Sequence, residues 1–351
     1  ISKLNLFLEK IDNVPGDETS RNEQKGQALF LRAWNYHMLY SLFGRVPIVD
    51  HTFDLDSSFE LQREDMDKVA DFIIKDLDEA AALLPIEYND PNDFGRVTKG
   101  AALALKSRVL LYKASPLFGT PSTEKWQAAA NAAKAVFDLN KYYLKTVNNS
   151  EEYGALFYDV KNPEVIFEKL FDPKYGSGDN NSFLYQAPCG IGNGFQGWGN
   201  FNPTQNLVDK FQMADGTASE KKTHYDYYPW NGREIRFYAA FLLDGDEWGY
   251  GKDKREVEVY YGGDETIPAG KDSNWGEYWW NASNTGYSMR KFLDPSYDAT
   301  GTTMHTTPWF FIRLSEIYLN YAECQIELGN NSEALEYINK VRTRALLPPA
   351  T

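Results

Sequence analysis

Apolar residues recur along this chain with a helical period at both ends and lose it in the middle. In FIRLSEIYLNYAECQIELGNNSEALEYINKVRTR, residues 311–344, Leu314, Tyr318, Ala322 and Ile326 return at every fourth position. That spacing predicts a helix with one apolar stripe as far as Leu328. Gly329 stands where a C′ residue is expected, and Asn331 or Ser332 can cap a second helix whose stripe is Ala334, Ile338 and Val341. The predicted product is a tight hairpin in which Ala322 and Ala334 let two backbones approach, with the spacing of the second half of a tetratricopeptide-type repeat. A pair of this kind cannot bury its stripe alone, so partners are expected elsewhere.

The first 140 residues supply them. Ser20 and Glu23 read as a capping box, and Leu29, Ala33, Tyr36, Tyr40 and Phe43 follow at steps of four and three until Gly44 and Pro47 stop the helix. Arg32 lies among these apolar positions and, if buried, must meet a carboxylate or carbonyls. Met66, Val69, Ile73, Leu77 and Leu84 predict a helix closed by Pro85, and the turn-rich YNDPNDFG follows. Thr98 opens a third helix along Ala102, Leu105, Val109 and Tyr112, ended by Ser115-Pro116. Thr123 and Glu124 start a fourth along Trp126, Ala129 or Ala130, Ala133 and Val136. Residues 97–138 thus repeat the alanine-lined plan of 311–344, and three or more stacked units sharing one core are expected.

Between about 140 and 308 the period gives way to Gly, Asn, Asp and aromatic residues. Strand-like runs appear at EVIFEKLF (164–171) and YSMRKFL (287–293), and one helix is expected from Thr204 to Phe211, capped by Asn202-Pro203. The fold class read from this pattern is mainly α, a tetratricopeptide-like helical-repeat scaffold with a long loop-rich insertion carrying short strands. Its expected parts are residues 1–140 (helical scaffold), 141–308 (loop-rich ligand-binding lobe) and 309–351 (a helical hairpin packing back on the first part).

Composition narrows the chemistry. Aromatic residues make up 15% of the 351 positions, with 9 Trp and 23 Tyr, more than a core needs and suited to a contact surface. A formal charge of −14 without a basic stripe argues against nucleic acid. Cys189 falls in a glycine-rich loop, and Cys324, on the buried side of a repeat helix, reads as a small core residue. No eighteen-residue apolar run is present to span a membrane. No signal peptide is present, and the chain opens at Ile1 inside helix-like sequence, so a missing N-terminal segment is expected. His37, His51, His224 and His305 share no ligand spacing, and no CxxC, HExxH, P-loop or GxSxG element occurs, so neither cofactor nor metal is expected.

A glycosidase would need two facing carboxylates; Asp244, Asp246 and Glu247, or Asp264 and Glu265, are the candidates, and acidic loops in so acidic a chain are expected to be solvated instead. What remains are loops that join flat rings to amides, QGWGNFN (196–202) and SNWGEYWWNASN (273–284). A pyranose offers a C–H face to a ring and hydroxyls to amides around its edge. One sugar stacked on Trp is worth roughly 1–3 kcal/mol by buried area, so two or three platforms give about millimolar to micromolar capture. The candidate ligand-binding residues are Trp198, Tyr175, Phe195, Asn200, Trp275, Trp279 and Trp280. The competing expectation for each tryptophan is that it packs the loops onto the helices.

Four segments, KGQALFLRAWNYHMLYSLFGRVPIV (25–49), FGRVTKGAALALKSRVLLYKAS (94–115), LVDKF (207–211) and FIRLSEIYLNYAECQIELGNNSEALEYINKVRTRA (311–345), resemble in order and content the SusD/RagB family of nutrient-capturing lipoproteins. The resemblance implies four tetratricopeptide-like helix pairs carrying a ligand lobe and no catalysis. It also implies glycan capture on the extracellular face of the outer membrane, and hand-over to a SusC-like TonB-dependent transporter. Trp198 matches the family's aromatic ahead of the LVDKF-like helix, and Tyr175 the one after the preceding strand. The family also has a lipidated N-terminal cysteine, its means of membrane association, and an Arg/Glu-rich stretch after the last repeat. Neither is in this sequence, so truncation at both ends is expected. Three other readings stay open: capture of peptides, as in RagB-like members, a polysaccharide-degrading enzyme, and a purely structural repeat scaffold for protein partners.

Overall fold

The computed structural model describes residues 1–54, 56, 60–171, 199, 201–219, 230–249, 254–262, 266, 268–277, 279–296 and 306–351. Five helices precede the insertion: α1 (Ser2–Lys10), α2 (Glu18–Phe43), α3 (Met66–Leu83), α4 (Lys99–Ala114) and α5 (Thr123–Phe137). The short α6 (Ser150–Ala155), α7 (Gln205–Val208) and α8 (Ile235–Ala240) lie within it, and α9 (Leu314–Glu327) and α10 (Asn331–Arg344) follow. From α2 to α5 each helix packs on the next, α5 then packs on α9, and α9 on α10. The stack therefore continues across the insertion as though it were not there.

One core runs through these helices. Phe30, Tyr36 and Tyr40 of α2 meet Val69, Ile73 and Leu77 of α3; Ala101, Leu105 and Val109 of α4 lead to Ala129, Ala133 and Val136 of α5; Leu314, Ile317 and Cys324 of α9 continue it. The alanine rows of α4 and α5 place small side chains at the contact, which permits the close approach that the sequence implied. Two charged clamps tie the stack, the first buried and the second half-buried. Arg32 donates to both carboxylate oxygens of Asp76 at 2.7 and 2.8 Å and to Asn5 Oδ1 at 3.1 Å. It thus finds the carboxylate that its position demanded. Arg108 of α4 reaches both oxygens of Glu316 in α9 at 2.7 Å and the Phe311 carbonyl at 2.8 Å.

Four local expectations need correction. Helix α2 begins ahead of Ser20, because Asp17 is its cap and accepts from the Ser20 amide at 2.7 Å; a carboxylate there also meets the positive end of the helix. The buried face of α9 is Leu314, Ile317, Tyr321, Ala322 and Cys324, so Leu314 and Ala322 of the expected stripe are buried while Ile326 is 50% exposed. A row taken every fourth residue overshoots each turn by about 40°, so it leaves the core within a few steps. The cap of α10 is Asn330 rather than Asn331 or Ser332, although Gly329 is in the left-handed region at φ +81° as expected. The helix expected over 204–211 is confined to Gln205–Val208 and capped by Thr204, whose hydroxyl accepts from the Leu207 amide at 3.3 Å. Arg233 donates to the carbonyls of Val208 (2.6 Å) and Phe211 (2.9 Å), satisfying groups that helix continuation would have used.

The insertion leaves and re-enters the scaffold through one antiparallel ribbon, β1 (Val165–Lys169) against β6 (Trp309–Arg313). Phe167 and Phe311 on this ribbon stack on each other and meet Trp34 of α2 edge-on at 5.2 and 4.9 Å. Glu164, just before β1, is fully buried, pairs with Arg344 of α10 and Arg313, and accepts from the Lys145 amide at 3.1 Å. Beyond the ribbon, β2 (Phe241–Leu242) pairs with β5 (Ser288–Met289) and β3 (Glu247–Trp248) with β4 (Arg255–Glu256). Small separate cores form there around Phe237, Phe241 and Leu243, and around Leu242, Trp248 and Leu293. The run at 287–293 is thus a strand only at its start.

Candidate functional site

The loop over 268–283 is held from beneath by a buried carboxylate. Asp272, 4% exposed, accepts from Arg255 at 2.7 and 2.8 Å and from the Glu258 amide at 2.9 Å. Its own amide donates to the Glu258 carbonyl at 2.8 Å, and the Gly270 amide to that of Tyr260 at 3.0 Å, so the loop is laced to the extended segment that follows β4. Ser273 Oγ donates to the Gly270 carbonyl at 2.7 Å. Gly276 turns so closely over Gly270 that a Cβ there would stand 1.9 Å from the Gly270 carbonyl oxygen. Only hydrogen fits, which is the reason for glycine between Trp275 and Trp279.

This frame presents rings outward. Trp275 is 70% exposed, Trp279 62% and Trp280 50%. Trp275 meets Tyr261 nearly perpendicularly at 5.6 Å between centroids, and Trp279 meets Trp280 at 6.1 Å and 87°. With its amide oriented to satisfy both, Asn281 donates to the Trp280 carbonyl (3.2 Å) and accepts from the Trp280 indole nitrogen (3.3 Å). The second loop comes to the same place: a Cβ on Gly199 would lie 2.3 Å from the Asn281 carbonyl oxygen, and Asn202 Nδ2 donates to the Gly199 carbonyl at 2.7 Å. Phe201 beside it is 53% exposed. Exposed rings on fixed backbone form stacking platforms with little conformational entropy left to lose.

Three of the seven predicted residues, Trp275, Trp279 and Trp280, are thus brought together, with Tyr261 and Phe201 as additions that sequence reasoning missed. Phe201 lay in the quoted QGWGNFN loop. Tyr260-Tyr261 before Gly262-Gly263 was the available signal for the other, because a ring pair at a strand's glycine-rich end has no core beyond it. Trp198, Tyr175, Phe195 and Asn200 lie outside the described residues, as do Cys189, His224, His305, Asp264 and Glu265. Trp248 meets the competing expectation: it is 4% exposed, in a small core under Arg290.

The acidic turn is structural in its contacts. Asp244 accepts from the Val259 amide at 2.8 Å, Asp246 from the Leu243 amide at 2.9 Å, and Glu247 pairs with Lys254 at 2.8 Å. Burial raises the Asp246 carboxyl above the usual range. These contacts fasten β3 to β4 and leave the three carboxylates in service to the turn. Among the described residues no three His, Cys, Asp or Glu side chains gather as a metal site, and no helix is long and apolar enough to cross a membrane.

The chain is similar to known proteins over its full length. Residues 163–351 match the SusD family, and residues 1–111 match a family described as starch-binding and associating with the outer membrane. Among curated relatives, SusD-like protein P25 of Formosa agariphila is 23% identical over 353 residues, covering 95% of this chain and 59% of that protein. A SusD-like protein from Bacteroides fragilis superposes with a TM-score of 0.83 at 29% identity, over 100% of this chain and 66% of that one. A SusD-like carbohydrate binding protein from the same species gives 0.80 at 25% identity, over 100% and 64%. The chain spans about three fifths of the length of the curated relatives it matches.

Proposed function

This chain belongs to the SusD family, and on that premise we propose that it captures oligo- or polysaccharide without cleaving it. The exposed rim of Trp275, Trp279, Trp280 and Tyr261 on a tightly fixed loop is the observation that carries this reading. Each ring accepts the C–H face of a sugar, burying apolar area worth roughly 1–3 kcal/mol, and the perpendicular pairs prevent one flat ligand from covering every ring at once. A chain that bends from one platform to the next fits better. Affinity built from two or three such contacts is about millimolar to micromolar, suited to capture and release.

Supporting this reading are the starch-binding description of the family matched by residues 1–111 and the carbohydrate-binding relative from Bacteroides fragilis. In this reading the ligand passes to a SusC-like TonB-dependent transporter, and a lipid anchor holds the protein at the extracellular face of the outer membrane. The lobe 141–308 binds, and the helical parts 1–140 and 309–351 form its platform. The test is a retardation gel across starch, xylan, mannan, pectin and host glycans, with assay of reducing ends. Retention by one polymer without new reducing ends is expected. New reducing ends would replace capture with hydrolysis, and retention by none would turn the reading toward peptide ligands.

A further inference from the structure

Away from the rim, a cavity of about 380 Å³ opens between the turn joining α3 to α4, the segment after α5, and β1. That volume is within the range of small-molecule sites. Its walls include the rings of Tyr88, Phe94, Tyr142 and Phe167. Its charged residues are Glu87, Asp90, Asp93 and Glu168 against Arg96 and Lys141. Both cations are engaged, Lys141 with Glu87 and Arg96 with Asp93 at 2.5 Å.

The other polar groups of the wall are answered too. The Tyr88 hydroxyl donates to the Val97 carbonyl at 3.0 Å, Asp90 accepts from the Asn92 amide at 2.9 Å, and the hydroxyls of Thr98 and Tyr142 face each other at 3.5 Å. Glu168 differs. Its Oε2 is buried with no hydrogen-bond partner, and no described cation pairs with it. The charge that acts on it is that of Asp159, of like sign, in the turn after α6.

Ring faces carry negative potential, and a carboxylate accepts N–H groups; together they recognise an ammonium. An anion would be repelled, and a neutral molecule would leave the charge unanswered. We propose that this cavity is a second ligand site, independent of the aromatic rim, that takes a small organic cation: a primary ammonium on a compact skeleton, with its nitrogen at Glu168.

Burial and Asp159 push the Glu168 carboxyl up to about 7. The empty site is therefore partly protonated at neutral pH, and a bound cation expels that proton. Affinity must rise with pH, by about tenfold from pH 6 to pH 8, as the ionised fraction of a group titrating near 7 grows. The titratable groups that line the cavity with Glu168 are Glu87, Tyr88, Asp90, Asp93 and Arg96 from the 86–98 turn and Lys141 and Tyr142 after α5; Asp159 after α6, itself paired with Lys145 at 2.8 Å, acts on Glu168 from outside the lining.

The experiment titrates the chain with cyclohexylammonium and with cyclohexanol, its neutral counterpart of equal shape, by ligand-detected NMR. Saturable binding of the ammonium at pH 8 is expected, at least tenfold tighter than cyclohexanol. Glu168→Gln should remove both this preference and the pH dependence, and Phe94→Ala, at a ring that is 52% exposed, should weaken binding in a folded protein. Trp275→Ala should leave binding of the ammonium unchanged. Absence of saturable binding, equal binding of the two probes, or an unaltered Glu168→Gln variant would overturn the proposal. Loss in Trp275→Ala would also overturn it, by placing the probe on the rim.

Discussion

Removing the carboxylate at Asp76 tests how the helical stack is held. The Asp76 side chain is 2% exposed and that of Arg32 10%, with two charge-assisted hydrogen bonds between them at 2.7 and 2.8 Å. Asp76→Asn keeps the shape but leaves the buried guanidinium one neutral amide oxygen in place of the carboxylate, beside Asn5 Oδ1 at 3.1 Å and the Asp50 carbonyl at 3.4 Å. Breaking a buried pair from one side costs about 3–5 kcal/mol, because a charge is left without its counter-charge. For a chain of this length that corresponds to a fall in Tm of roughly 4–7 °C. Replacing both partners, Arg32→Met with Asp76→Leu, removes the desolvation cost along with the attraction, and the loss should shrink toward zero. Urea unfolding followed by far-ultraviolet circular dichroism on the wild type, Arg32→Met, Asp76→Leu and the double closes the cycle, with Asp76→Asn measured beside it. A loss below about 1 kcal/mol in Asp76→Asn, or a double variant as unstable as the sum of the singles, would refute the reasoning.

Three further outcomes follow from particular contacts. Gly276→Ala should collapse the ring-bearing loop and abolish glycan retention, whereas Gly119→Ala, whose Cβ would meet only the Lys125 side chain at 3.5 Å, should change neither retention nor Tm; a retaining Gly276→Ala protein would contradict the loop's tight packing. Burial first, and Arg108 second, lower His37 from 6.5 to about 4, so the imidazole is neutral in the fold. Its contribution to stability is complete above pH 6.5 and is lost as pH falls toward 4, by up to about 3 kcal/mol. Glu168, raised to about 7, works in the opposite sense over pH 4.5–7, so the effect is read as the difference between wild type and His37→Leu; parallel pH profiles for the two would contradict it. Burial pushes the Cys324 thiol up to about 12, so iodoacetamide should label Cys324 only after unfolding, and labelling of native protein would show that α9 opens.

The scaffold was legible because each long helix has one face to bury, and a 3.6-residue period records it. What the period could not fix was phase and ends. The every-fourth row through α9 drifted from Leu314 to an exposed Ile326, and α2 took its cap from Asp17, three residues ahead of the more familiar Ser-x-x-Glu signature. Arg32 could be read as a residue in need of a carboxylate, but its partner is 44 positions away, a distance in sequence that only packing can close. In the insertion the signal was composition. Rings amid Gly and Asn, without periodicity, marked Trp275, Trp279 and Trp280 as surface. The same composition surrounds Trp248, which a two-residue ribbon turns inward, in keeping with the competing expectation that a tryptophan packs the loops. Strands of two residues leave no alternation to read, so β2 to β5 were visible only in part.

The direct test of the rim is a calorimetric titration of the polymer that the protein retains, with wild type and with Trp275→Ala and Trp279→Ala. Each replacement removes a platform worth roughly 1–3 kcal/mol, so a rise in Kd of about 5- to 150-fold with unchanged Tm is predicted. Wild-type affinity in both variants would contradict the account, because the exposed rings would then not be the surface on which the glycan rests.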